Sequence, residues 1–99
     1  MKPLRALFLL GAKEYLSSTT DSERGAIARD IEGLQAGDLT GIYTKQLRGP
    51  IRELKSGSHR IVYFKIKQDL YFVSGFRKKT TKTPKREIEN AQKIYNQLT

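Results

Sequence analysis

The cations of this chain gather in one stretch. Thirteen of its 19 Lys and Arg residues fall between Lys45 and Arg86, where only Glu53 and Asp69 oppose them. That stretch carries a formal +11, while the whole 99-residue chain carries +9. Charge concentrated in this way is the electrostatic signature of a surface that meets phosphates. The cations are threaded through an apolar strand pattern, which assigns them to a folded face and points to a shaped RNA or DNA site. Two segments supply them. In the first, Ile51–Phe64, Arg52 and Lys55 precede a Ser56-Gly57-Ser58 turn, and His59 and Arg60 follow it. In the second, Gly75–Ile88, Arg77, Lys78, Lys79, Lys82, Lys85 and Arg86 crowd the junction between a strand and a helix. In a meander the start of one strand lies beside the end of its hairpin partner. Arg60 and Arg77 are therefore expected at the same edge of the sheet, converging into one pocket under the Lys-rich loop.

Composition restricts what such a site can do. The absence of Cys rules out disulfide frameworks, thiolate zinc sites and thiol nucleophiles. A single His and few clustered acids argue against a protein-held catalytic metal, and no cofactor is implied. Chemistry falls to Arg, Lys, Tyr, Ser, Thr, His59 or the backbone. At 11.3 kDa the chain has room for one domain, residues 1–99, with one modest core. Lys2 and Arg5 precede the apolar run Ala6–Leu10, but that run is shorter than the roughly 7–15 residues of a secretion signal's core, and Lys13-Glu14 follow it. A buried first strand is expected there, with no membrane span and a cytoplasmic location.

The elements that must position the cations can be read in order. Leu4–Leu10 reads as a strand, mostly apolar and hence central in its sheet, ended by Gly11. Ala12–Leu16 begins a short helix. Thr20 and Glu23 fit a capping box that opens a second helix with Ile27, Ile31 and Leu34 on one face and Gly37 as its stop. Asp38–Gly49 is irregular. Ile51–Lys55, His59–Lys67 and Leu70–Phe76 form an antiparallel meander, with Val62, Phe64 and Ile66 on one face of the middle strand and Ile61 and Tyr63 on the other. Thr83 as N-cap and Pro84 as first residue start a last helix, striped by Ile88, Ala91, Tyr95 and Leu98 with Ile94 beside them, and Glu89 pairs with Lys93. The fold class is α+β, in the order strand, two helices, three strands, helix, with helices packed on a mostly antiparallel sheet.

The two cationic segments resemble the phage-derived HigB-like toxins of the RelE/ParE superfamily. The first matches their "ELR, turn, R-[IV]-x-Y-F" strand pair. The second follows their ending through Gly75, Phe76, Lys78, Lys79, Thr80, Lys82, Thr83, Pro84, Glu87, Ile88 and Ala91. The resemblance covers roughly the last fifty residues in motif and the rest in element order. It implies a RelE-like fold and the toxin of a type II toxin–antitoxin pair, a ribosome-dependent endoribonuclease that cuts mRNA in the A site, with rRNA contacts and without a metal. The implied partner is a HigA-like helix-turn-helix antitoxin in a toxin–antitoxin hetero-oligomer. The hairpin from Glu14 to Asp38 is acidic on balance and is the expected antitoxin contact.

Such cleavage needs a 2′-hydroxyl activated, the charge on the phosphate neutralised and the leaving 5′-oxygen protonated. By position in the resemblance, Arg60 and Arg77 take phosphate binding and transition-state stabilisation. His59, Lys79 or Lys82 takes the proton transfers, and Arg52, Lys55, Lys78, Lys85 and Arg86 bind RNA. Two positions depart from the family pattern. A C-terminal Tyr used by some RelE-type toxins falls at Thr83, read as a helix cap, and Glu53 stands where some relatives place a Lys. Replacing Arg60 or Arg77 by Ala is expected to abolish cleavage and leave the fold intact. Tyr63, Phe64, Tyr71 and Phe72 are expected in the core, with Tyr63 or Tyr71 able to open toward a groove. The competing readings are a ParE-like DNA gyrase inhibitor on the same fold and a non-catalytic RNA- or ribosome-binding module.

Overall fold

The computed structural model describes residues 3–99. Strand β1 (Arg5–Phe8) leads into helices α1 (Leu10–Ser17) and α2 (Asp21–Ala36), then strands β2 (Tyr43–Arg48), β3 (Ile51–Ser56), β4 (His59–Ile66) and β5 (Asp69–Arg77), and finally helix α3 (Lys85–Leu98). The strands form one sheet in the order β1-β5-β4-β3-β2, with β1 parallel to β5 and every other pair antiparallel. The expected α+β architecture holds, with one strand more than the sequence pattern showed. Strand β2 was hidden because Tyr43–Arg48 holds only two apolar residues between Gly41 and Gly49-Pro50. It is the outer strand, where most side chains face water and apolar alternation is not needed, and Gly49 and Pro50 form its turn into β3.

Strand β1 is an edge strand and not a central one. Leu9 and Leu10 leave it to start α1, and Gly11 lies inside that helix. A Cβ on Gly11 would come within 2.8 Å of the Val73 carbonyl oxygen, so the glycine lets the helix backbone settle directly on β5. Both faces of the sheet are covered, which is why six consecutive residues of β4, His59 to Phe64, are buried. On one face α1 and α2 pack Ala12, Ile27, Ile31 and Leu34 against Leu54, Ile61, Tyr63 and Phe72. On the other α3 packs Ala91, Ile94 and Tyr95 against Val62, Phe64 and Val73. Alternation along β4 divides as the sequence predicts.

The capping box is present, with Glu23 N donating to Thr20 Oγ1 at 3.2 Å and Thr20 N to Glu23 Oε1 at 3.0 Å. Gly37 ends α2 at φ 76°. Helix α3 departs in detail from expectation. Its cap residue is Pro84, Thr83 being engaged elsewhere; Leu98 is half exposed, and Glu89 meets Lys85 at 3.8 Å, one turn on the other side from Lys93.

Candidate nucleic-acid interface

Strand register decides which cations meet. In the β4–β5 pair His59 lies opposite Arg77 and Arg60 opposite Phe76, and Lys55 of β3 lies opposite Arg60. Residues directly opposite share a face, and neighbours along a strand do not. Arg60, Lys55 and Phe76 therefore face the α3 side, while His59 and Arg77 face the α1–α2 side. Arg60 and Arg77 reach the same end of the sheet but not one pocket. The expectation of convergence fails because an odd offset along a pleated strand inverts the side chain. Two basic hollows result, one on each flank of the Lys78–Thr83 loop, and Phe76, Thr80 and Lys82 line both.

The first hollow has Arg60 and Glu53 at its floor. Arg60 is 7% exposed and Glu53 3%. The Arg60 Nη1 donates to the carbonyls of Gly57 at 2.8 Å and His59 at 2.9 Å, and its Nε lies 3.9 Å from Glu53 Oε2. The other carboxylate oxygen accepts a short hydrogen bond, 2.5 Å, from the Thr83 hydroxyl. Lys45, Lys55, Lys78 and Lys82 stand around this pair, and about 20 Å³ is free between them. A guanidinium that can neutralise a phosphate and a carboxylate that can accept a proton thus lie side by side under a lysine rim, with room between them for about one water. Because Arg60 also holds two backbone carbonyls, its replacement by Ala is expected to cost stability as well as any activity.

The second hollow, about 510 Å³, is open and lined by Arg77, Lys79, Lys82 and Arg86, opposed by Glu87, with Phe76, Thr80 and Pro84. Arg77 Nη1 donates to Ser58 Oγ at 2.9 Å, and Nη2 lies 3.5 Å from Glu23 Oε2. His59 is not in either hollow. It is 4% exposed, with Nε2 at 2.8 Å from Glu23 Oε2 and Nδ1 at 2.6 Å from the Tyr15 hydroxyl. An ionised carboxylate can only accept, so Nε2 carries the proton, and in the neutral ring Nδ1 accepts the Tyr15 O–H. Both ring nitrogens are engaged, and the ring lies away from the lysines that line the two hollows. Burial pushes the Tyr15 hydroxyl above its ordinary pKa.

The remaining candidates divide in the same way. Lys55 and Lys78 belong to the Arg60 hollow; Lys79 and Arg86 belong to the Arg77 hollow, and Lys82 to both. Arg52 lies opposite Tyr63 on the α1–α2 face and donates to Thr44 Oγ1 at 3.0 Å, away from both hollows. Lys85 lines neither hollow and reaches Glu89 across one helical turn. Tyr63 is buried against Phe72 and Tyr71 stacks on Phe64, so neither opens toward a groove. The aromatic ring at the interface is Phe76. Glu53, Thr83, Lys45 and Phe76 were missed as a group; strand parity pairs Glu53 and Lys55 with Arg60 and was the available signal, whereas Lys45 lay on the unread strand.

Glu23 gives this region a pH dependence. The Thr20 backbone N–H, then the His59 ring and Thr20 side chain, hold its carboxyl down at about 2. A carboxylate whose folded pKa is depressed contributes stability that is complete above its unfolded pKa and is lost as pH falls toward the folded one. Acid titration from pH 5 to 2 followed by circular dichroism is expected to show stability falling across this window. Glu23→Gln should have a flatter profile there; an identical profile would contradict the assignment.

The arrangement of a five-stranded, mostly antiparallel sheet with α1 and α2 on one face and α3 on the other is the fold of RelE-type proteins. A chain of the archaeal RelE–RelB complex from Pyrococcus horikoshii OT3 superposes with a TM-score of 0.63 at 13% identity, over 76% of this chain and 94% of that one. A chain of the Mycobacterium tuberculosis RelBE2 toxin–antitoxin complex gives 0.63 at 16% identity, over 77% and 99%. One from the intact E. coli RelBE complex gives 0.59 at 19%, over 78% and 99%. At these identities the likeness establishes the fold. The family is shown by sequence: residues 14–96 match the model of the phage derived protein Gp49-like family (DUF891), and this chain belongs to that family. No curated protein matches the sequence.

Proposed function

We propose that this chain is the toxin of a type II toxin–antitoxin pair and cleaves mRNA on the ribosome without a metal. The observation that carries this reading is the Arg60–Glu53 floor beneath a ring of lysines, at the end of a RelE-type sheet. In the step proposed, Glu53 takes the proton from a ribose 2′-hydroxyl and the 2′-oxygen attacks the adjacent phosphorus. The P–O5′ bond breaks, leaving a 2′,3′-cyclic phosphate, and Lys82 passes a proton to the departing 5′-oxygen. Arg60 neutralises the charge that builds on the phosphoryl oxygens. Arg77, Lys79 and Arg86 hold the backbone on the other flank of the loop, with Lys55 and Lys78 beside the scissile linkage. The partner is a HigA-like helix-turn-helix antitoxin in a hetero-oligomer that forms in the cytoplasm, with the acidic α1–α2 hairpin as its contact. Among the described residues no helix is long and apolar enough to cross a membrane.

The narrowness of the Arg60 hollow favours one second reading, an RNA- or ribosome-binding module that does not cut. Programmed ribosomes separate the two. With a short message stalled in frame, the nuclease is expected to cut within the A-site codon and to leave gyrase supercoiling untouched. Binding with an intact message supports the module, and inhibited supercoiling supports a ParE-like role instead.

A further inference from the structure

Arg77 ends β5 and projects from the open end of the sheet, where a long side chain ordinarily sweeps through many rotamers. Here it has two tethers, Ser58 Oγ and Glu23 Oε2. The Ser58 side is fixed because the Lys78 N–H donates to the Ser58 carbonyl at 2.8 Å. The Glu23 side is fixed by two hydrogen bonds. Its Oε1 accepts from the Thr20 N–H that opens α2, and its Oε2 accepts from His59. His59 is in turn braced by Tyr15, whose ring occupies the space that a Cβ on Gly75 would enter, 2.3 Å from that ring. A capping carboxylate that needs only Thr20 is thus extended across the helix–sheet interface to Arg77, one of the two arginines that line the second hollow.

We propose that Glu23 is a positioning residue that holds the Arg77 guanidinium in place for an RNA phosphate. The inference rests on the reading of this end of the sheet as an RNA site. Two effects of Glu23 on a polyanion have opposite signs. Its charge repels RNA, so removing it raises the formal net charge from +9 to +10 and by charge alone strengthens binding. Its geometry spares Arg77 the ordering cost of being immobilised when RNA arrives, so removing it weakens binding.

Glu23→Gln keeps the size of the side chain and removes the charge. Anisotropy with a fluorescein-labelled single-stranded oligoribonucleotide at fixed salt is expected to show Glu23→Gln binding roughly 2- to 10-fold more weakly than wild type. In an Arg77→Ala background, where only the charge effect remains, the same substitution is expected to cause no loss and to tighten binding slightly. Tighter binding by Glu23→Gln, or an equal loss in the Arg77→Ala background, overturns the proposal, the second by marking a merely structural role. The heteronuclear NOE of the Arg77 Nε–Hε group reads the tether without RNA: ordered in wild type and mobile in Glu23→Gln is the expected result, and equal order in both overturns it. Wild-type protein that binds no RNA while Glu23 still orders Arg77 sinks the RNA reading and leaves the tether standing.

Discussion

Arg60→Ala is expected to lose about 3–5 kcal/mol of folding stability, the range for stripping one partner from a buried ion pair. At several degrees per kcal/mol in a chain of this size, the melting temperature should fall by more than about 12 °C. The loss has two sources in the structure. Glu53, 3% exposed, keeps only the Thr83 hydroxyl, and the carbonyls of Gly57 and His59 lose their donor at the turn where β4 begins. Replacing both charged residues by apolar ones, Arg60→Met with Glu53→Leu, should cost less than the sum of the single substitutions, since neither charge is then left unpaired. Denaturant titration of the two single variants and the double measures this directly. Full stability in Arg60→Ala contradicts the buried pair.

Glu53→Gln is expected to reduce cleavage by about 10²–10⁴-fold, the usual contribution of a positioned general base. Glutamine has nearly the same shape and its amide oxygen still accepts from Thr83, but buried Arg60 loses its charge partner, so a lower melting temperature is expected with the lost activity. His59→Gln gives the contrast. It breaks the bridge between Tyr15 and Glu23 and should lower the melting temperature, while its folded fraction still cuts because the ring faces the opposite side of the sheet. Single-turnover cleavage on stalled ribosomes, with each variant's melting curve beside it, separates the two effects. Undiminished cutting by folded Glu53→Gln removes the carboxylate from the chemistry.

The basic end of the sheet was legible in the sequence because charge density does not depend on register. The Lys78–Thr83 loop and the division of β4 into two faces follow from composition and alternation, and the structure has them, while the turn expected at Ser56–Ser58 is Gly57-Ser58, with Ser56 closing β3. What composition cannot show is parity across a hairpin. Arg60 and Arg77 were expected together because both sit at strand ends, yet Arg77 lies opposite His59, one residue past the partner of Arg60. One residue of offset sends a guanidinium to the other face. Thr83 misled for a related reason: its position before Pro84 is that of a helix cap, but its hydroxyl serves Glu53, 30 residues away, a contact no local pattern encodes. Glu23 was read as half of a capping box and is that, with His59 and Arg77 added by the packing of α2 on the sheet.

As proposed, the Arg60–Glu53 hollow cuts messages while they are being translated. Mapping the 5′ ends of cellular mRNA shortly after induction tests it most directly, comparing wild type with Glu53→Gln at equal protein levels. Codon-phased ends are expected to appear with wild type and to vanish with Glu53→Gln. Intact messages with wild-type protein, or the same phased ends from both, would contradict the proposal.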